Sequence, residues 1–130
     1  MPDSTLDVGR QLAALCAEGR FVDAIDALYA DDIVSVECVA MEGHPREQRG
    51  IESVRAKNVW WIENHDVHGV ETLGPYPHDD RFVVVFKIDV TSKVGPSAGK
   101  RMTIEEAVVY TAKDGKIVHE AFFYDVSTMV

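Results

Sequence analysis

The hydrophobic period of this chain changes near residue 66, and the change decides its fold class. Before that point apolar residues recur every three or four positions. Leu6, Leu12, Leu15 and Cys16 predict a helix over 5–18, closed by Gly19. Phe21, Ile25, Leu28 and Tyr29 predict a second, shorter one. Asp31 and Asp32 break it, and the β-rich run 33–39 starts a strand. A polar loop with Gly43, Pro45 and Gly50 leads into a helix over 51–64 that carries Trp60 and Trp61 in its last turns. After residue 66 the pattern alternates. Strands are expected over 67–73, 82–91, 102–112 and 117–126, separated by the turn residues 74–80, a Gly/Pro/Ser connection at 93–99 and the hairpin string Lys113-Asp114-Gly115-Lys116. Helices first and a meander last make an α+β fold, with the helices packed on one face of a curved, mostly antiparallel sheet. With 130 residues the chain is expected to form a single domain over 1–130. It is long enough to bury roughly two-thirds of its unfolded surface without disulfides or metal.

Charge narrows the partners. Twenty-two acidic side chains against thirteen basic ones give a net charge of −9, which repels nucleic acid and anionic membrane. No apolar run approaches the ~20 residues of a membrane span. The start, Met1-Pro2-Asp3-Ser4-Thr5, lacks the basic-then-apolar pattern of a signal peptide, so a cytoplasmic setting is expected. Cys16 and Cys38 read as small buried hydrophobes in a reducing compartment. His65 and His68 flank a turn without a characteristic ligand cluster elsewhere, so no metal is expected. No phosphate-binding Gly loop or Gly-x-Ser-x-Gly elbow is present, and no cofactor is expected.

Strand parity singles out the chemistry. On 102–112, Met102, Ile104, Val108 and Tyr110 share a face with one acid, Glu106, which is therefore aimed inward. On 117–126, Glu120 shares a face with Phe122 and Tyr124. On 82–91 the set Phe82, Val84, Phe86, Ile88, Val90 is wholly apolar, and the other set contains Val83 and Val85 with Lys87 and Asp89. A sheet apolar on both faces meets a second subunit as well as its own helices. Glu37, Asp89, Glu106 and Glu120 thus lie on strands that ought to be apolar. Two readings stand for them. One is a set of rim acids or structural pairs, with Lys87 as partner of Asp89. The other is a pocket whose acids, desolvated and raised in pKa, transfer protons.

The element order and several strings resemble the nuclear-transport-factor-2-like superfamily in its SnoaL-like branch. The strings are Leu28-Tyr29-Ala30-Asp31-Asp32-Ile33-Val34-Ser35-Val36-Glu37, Arg49-Gly50-Ile51, and Asp114-Gly115-Lys116-Ile117-Val118-His119-Glu120-Ala121-Phe122-Phe123-Tyr124-Asp125. The resemblance implies a cone of highly curved sheet with a helical lid, and a homodimer formed through the outer sheet face. Limonene-epoxide-hydrolase relatives carry an Arg-x-Asp pair where this chain has Lys87-Ile88-Asp89, and a Tyr-x-Asn pair where it has Ser35 and Glu37. Their second catalytic acid falls at Phe122, which cannot ionise, so that route to epoxide opening is not implied. Ketosteroid-isomerase relatives use a base on the first strand, where Glu37 is nearest, and oxyanion donors for which Tyr29 and Glu106 are candidates.

The expectation is a cofactor-free isomerase, cyclase or lyase acting on a mostly apolar, carbonyl-bearing small molecule. Asp89 or Glu37 takes a proton alpha to the carbonyl, and a neutral Glu106 or Tyr110 donates to the developing oxyanion. Substrate contacts are expected from Ser35, Trp60, Lys87, Tyr110, Glu120, Phe122 and Tyr124. The alternative is a non-catalytic dimeric module that binds a small ligand or another protein, and a weaker third option is a metal held by Glu37, Glu106, Glu120 and a histidine.

Overall fold

The structure, a computed structural model, describes residues 4–40 and 43–128. Helix α1 (Thr5–Ala17) starts where the Ser4 hydroxyl accepts the Asp7 N–H at 3.1 Å. It stops at Gly19, whose positive φ of 76° lets the Gly19 and Arg20 N–H groups turn back onto the carbonyls of Cys16 and Leu15. Val8, Gly9, Leu12, Ala13 and Cys16 form its buried face. Leu12 alone, fully removed from water, contributes about 1.5–3 kcal/mol of burial. Helix α2 (Phe21–Leu28) buries Ala24, Ile25 and Leu28. Helix α3 (Ile51–Glu63) begins after Gly50, at φ 89°, and buries Val54 and, unusually, Lys57.

Six strands form one sheet in the order β2-β1-β6-β5-β4-β3. They are β1 (Tyr29–Val36), β2 (Glu47–Arg49), β3 (His65–His78), β4 (Arg81–Ser92), β5 (Arg101–Lys113) and β6 (Lys116–Phe123). The β1–β6 pair is parallel and the others are antiparallel. Three of the expected boundaries move. Tyr29 leaves the helix to pair with Ile117, so β1 starts earlier and ends at Val36, short of Cys38. β3 does not stop at Leu73. A register shift between Leu73 and Tyr76 absorbs Gly74 and Pro75, and pairing resumes to His78 before the turn at Asp79 and Asp80. The short β2, unanticipated inside a polar loop, pairs Val34 with Arg49 and Val36 with Glu47. The Asp114-Gly115 turn joins β5 and β6 with both residues at positive φ, as a two-residue hairpin of this sequence requires.

Register fixes which side chains share a face. Phe82, Tyr110 and Glu120 form one inward row, and Val84, Val108 and Phe122 the next. Phe86 lies opposite Glu106, and Ile88 opposite Ile104. Phe82, Val84 and Val108 are completely buried beneath the helices. Two outward rows are also apolar: Leu73, Val85, Ala107 and Phe123, then Tyr76, Val83, Val109 and Ala121. Leu73, Tyr76 and Phe123 are exposed there.

The same register corrects the placement of Asp89 and Lys87. Both lie on the outer face, since the wholly apolar alternate set of β4 takes the core. Asp89 accepts two hydrogen bonds from the Arg101 guanidinium, at 2.9 and 2.7 Å. Arg101, not Lys87, is its charge partner, and the pair holds the Asp89 carboxyl below its ordinary range.

Candidate functional site

Between the inner face of the sheet and the helices a cavity of about 120 Å³ remains. Its floor comes from β4, β5 and β6 and its roof from α1, α2 and α3. The walls are mainly apolar: Phe86, Ile88, Ile104 and Phe122 from the sheet side, Phe21 and Trp61 from the helices. Into this apolar hollow project Glu37, Glu106, Glu120, Lys57, Asn58 and three tyrosines, Tyr29, Tyr110 and Tyr124.

Each acid has a different environment. Glu120, 2% exposed on β6, accepts a hydrogen bond from the Tyr29 hydroxyl. Burial raises its pKa, against the pull of Lys57, Tyr29 and Ser35. Burial and then the Glu120 charge push the Tyr29 and Tyr110 phenols well above their usual range, so both remain protonated donors. Glu37 follows the end of β1 and is 8% exposed. Its Oε1 stands 3.7 Å from Lys57 Nζ, while its buried Oε2 has no hydrogen-bond partner. Burial raises the Glu37 pKa, Lys57 lowers it, and Glu120 raises it again. Glu106 is pushed up to about 8, first by burial and then by the negative charge of Glu37 and Glu120. At neutral pH it is therefore largely a neutral carboxylic acid, able to donate a hydrogen bond.

Lys57 ties the cluster together. Its ammonium donates to Ser35 Oγ at 2.8 Å and sits 5.0 Å from the centre of the Phe122 ring. A lysine only 5% exposed on a helix needs such partners, because an unpaired buried charge is costly. Cys16 also reaches the cavity, but burial pushes its thiol up to about 12, which leaves no thiolate for nucleophilic chemistry. Cys38 is half-buried and its thiol donates to the Phe122 carbonyl at 3.0 Å. Among the described residues no group of three His, Cys, Asp or Glu side chains could hold a metal.

Glu37, Glu106, Tyr110, Glu120, Phe122 and Tyr124 meet in the cavity, and Ser35 lies behind it on Lys57. Asp89 and Lys87 lie outside. Trp60 is also outside, on the outer surface of α3 with its ring 5.1 Å from His44; Trp61 takes the cavity wall instead. Lys57, Asn58 and Trp61 went unassigned from sequence, while Tyr29 stood only as an oxyanion donor that the resemblance implies and is placed here as the donor to Glu120. Helical arithmetic contains the signal for all three: Lys57, Asn58 and Trp61 follow Val54 by three, four and seven residues and so share its inward face. Trp60, six residues on, is turned roughly 120° away.

The SnoaL-like domain model matches residues 4–124. Similar solved structures include a Mesorhizobium loti protein assigned by likeness to the SnoaL-like polyketide cyclases. It is 40% identical, with 94% of this chain and 100% of that one covered, at a TM-score of 0.83. An NTF2-like protein of unknown function from Burkholderia pseudomallei is 17% identical, covers 96% of this chain and 93% of its own, and has a TM-score of 0.79. A Jannaschia protein assigned by likeness as a SnoaL-like polyketide cyclase is 16% identical, with 96% and 88% covered and a TM-score of 0.76. No curated protein matches. The match over nearly the whole chain, on a fold of three helices against a six-stranded mixed sheet, means that the chain belongs to the SnoaL-like domain family.

Proposed function

We propose that this protein binds a small, mostly apolar carbonyl compound in its cavity and moves a proton within it, as an isomerase, cyclase or lyase without a cofactor. One observation carries the reading: a neutral acid, Glu106, shares an apolar cavity with a second carboxyl, Glu37, whose Oε2 has no partner. In the proposed step a C–H bond alpha to the carbonyl breaks and its proton passes to Glu37. The electron pair moves onto the carbonyl oxygen, where the Glu106 O–H stabilises the developing enolate. Return of the proton to the same or a conjugated carbon completes an isomerisation. Glu120 and Tyr29 hold each other and keep negative charge near Glu106, which sustains its raised pKa. Lys57 orients the Glu37 carboxylate from 3.7 Å.

The two outward apolar rows of the sheet support a homodimer. Leu73, Val85, Ala107 and Phe123 run beside Tyr76, Val83, Val109 and Ala121 as a continuous surface that a second copy would cover.

Solvent deuterium exchange into small cyclic ketones, followed by proton NMR, tests the step. The protein should accelerate exchange alpha to the carbonyl, and Glu37→Gln should slow it at least a hundredfold with the fold intact. Ketone binding without accelerated exchange would refute catalysis and leave a ligand-binding module.

A further inference from the structure

Two fully buried side-chain oxygens at the cavity lack a hydrogen-bond partner. Glu37 Oε2 and Asn58 Oδ1 are both buried, both belong to residues that line the cavity, and neither has a hydrogen-bond partner. Both are acceptors. Three carboxyls face the cavity, and among the described residues Lys57 is its one cationic side chain. That ammonium is already engaged by Ser35 at 2.8 Å, by Glu37 at 3.7 Å and by the Phe122 ring. An anionic ligand would find no free cation and would meet three acids. A purely apolar ligand would leave the two acceptors unpaired. We propose that the ligand of this cavity carries a positively charged nitrogen with N–H donors, received by Glu37 Oε2 and Asn58 Oδ1, with its apolar body against Phe86, Ile88, Ile104 and Phe122. The aromatic walls suit the same charge, because ring faces attract cations.

The proposal rests on the cavity reading above and makes it more specific. A positive nitrogen acidifies the carbon beside it, so a carboxylate held against that nitrogen also lies against the C–H bond it is to break.

Three probes of one shape separate the possibilities: benzylamine, benzyl alcohol and benzoate, titrated by NMR against the resonances of cavity residues at pH 7. Benzylamine should bind at least tenfold more tightly than benzyl alcohol, and benzoate more weakly than either. Glu37→Gln and Asn58→Leu should each bring the amine-to-alcohol ratio within threefold. Equal or tighter binding of the alcohol or benzoate would overturn the cationic ligand and leave the cavity reading standing. No binding by any of the three would overturn both.

Discussion

Replacing Glu106 by Gln should flatten the dependence of stability on pH. The native Glu106 carboxyl titrates at about 8 and the unfolded one near 4.5. Between those values the folded chain holds a proton that the unfolded chain has released. Raising the pH through this window therefore destabilises the native state, by about 1.4 kcal/mol per pH unit from this group. From pH 5 to pH 7 the loss amounts to about 3 kcal/mol, and above pH 8 the slope from Glu106 disappears. Gln preserves the shape and neutrality of the protonated acid but cannot ionise. Glu37 and Glu120, whose pKa values are also raised, add a slope of the same sign in both proteins. The signal is thus the difference between the two curves. Urea unfolding at half-unit pH steps, with the slope against denaturant held as a check on the unfolded state, reads it. The two proteins should have similar stability near pH 5, with Glu106→Gln the more stable by several kcal/mol near pH 8. Parallel curves would mean that Glu106 titrates as an ordinary surface acid.

Tyr29→Phe removes the donor to Glu120 and leaves a buried carboxyl short of a partner. It should cost about 1–3 kcal/mol, which for 130 residues lowers Tm by about 4–11 °C; a change within 1 °C of zero would deny the bond any weight. Gly9→Ala sets two effects against each other. Helix propensity favours Ala by about 1 kcal/mol, but the new Cβ would stand 2.8 Å from Pro75 Cβ and 3.0 Å from the Phe82 ring. Overpacking against two rigid rings should win and destabilise by about 1–3 kcal/mol in calorimetry; a raised Tm would show that α1 can lift off β3 freely. Asp89→Asn should leave ligand affinity and deuterium exchange unchanged, since its ion pair with Arg101 lies on the outer face. Loss of exchange there would return Asp89 to the site.

Hydrophobic period carried most of the fold into view, because helices and strands bury their faces at different intervals. Parity on β5 and β6 carried Glu106 and Glu120, each an acid in an otherwise apolar row. The same reasoning misplaced Asp89. Both alternating sets of β4 contain valines, since the outer face is apolar too, and an acid on that strand looked equally out of place on either side. The cluster around Lys57 was hidden for another reason. A lysine on a helix normally points to water, and its burial here depends on Ser35 and Glu37, about twenty residues earlier on or beside another element, and on the distant Phe122 ring. Such a partnership is a tertiary fact with no local pattern. Gly74 and Pro75 read as a turn, and only pairing with β4 shows that they form a bulge within a continuing strand.

Carboxyl-carbon NMR on protein labelled at glutamate, titrated from pH 3 to pH 10 with Glu106→Gln to assign the signal, tests most directly whether a neutral acid faces the cavity. The Glu106 resonance should move with a midpoint of about 8. A midpoint near the ordinary 4.5 would contradict a proton held at that position in neutral solution, and with it the proposed oxyanion donor.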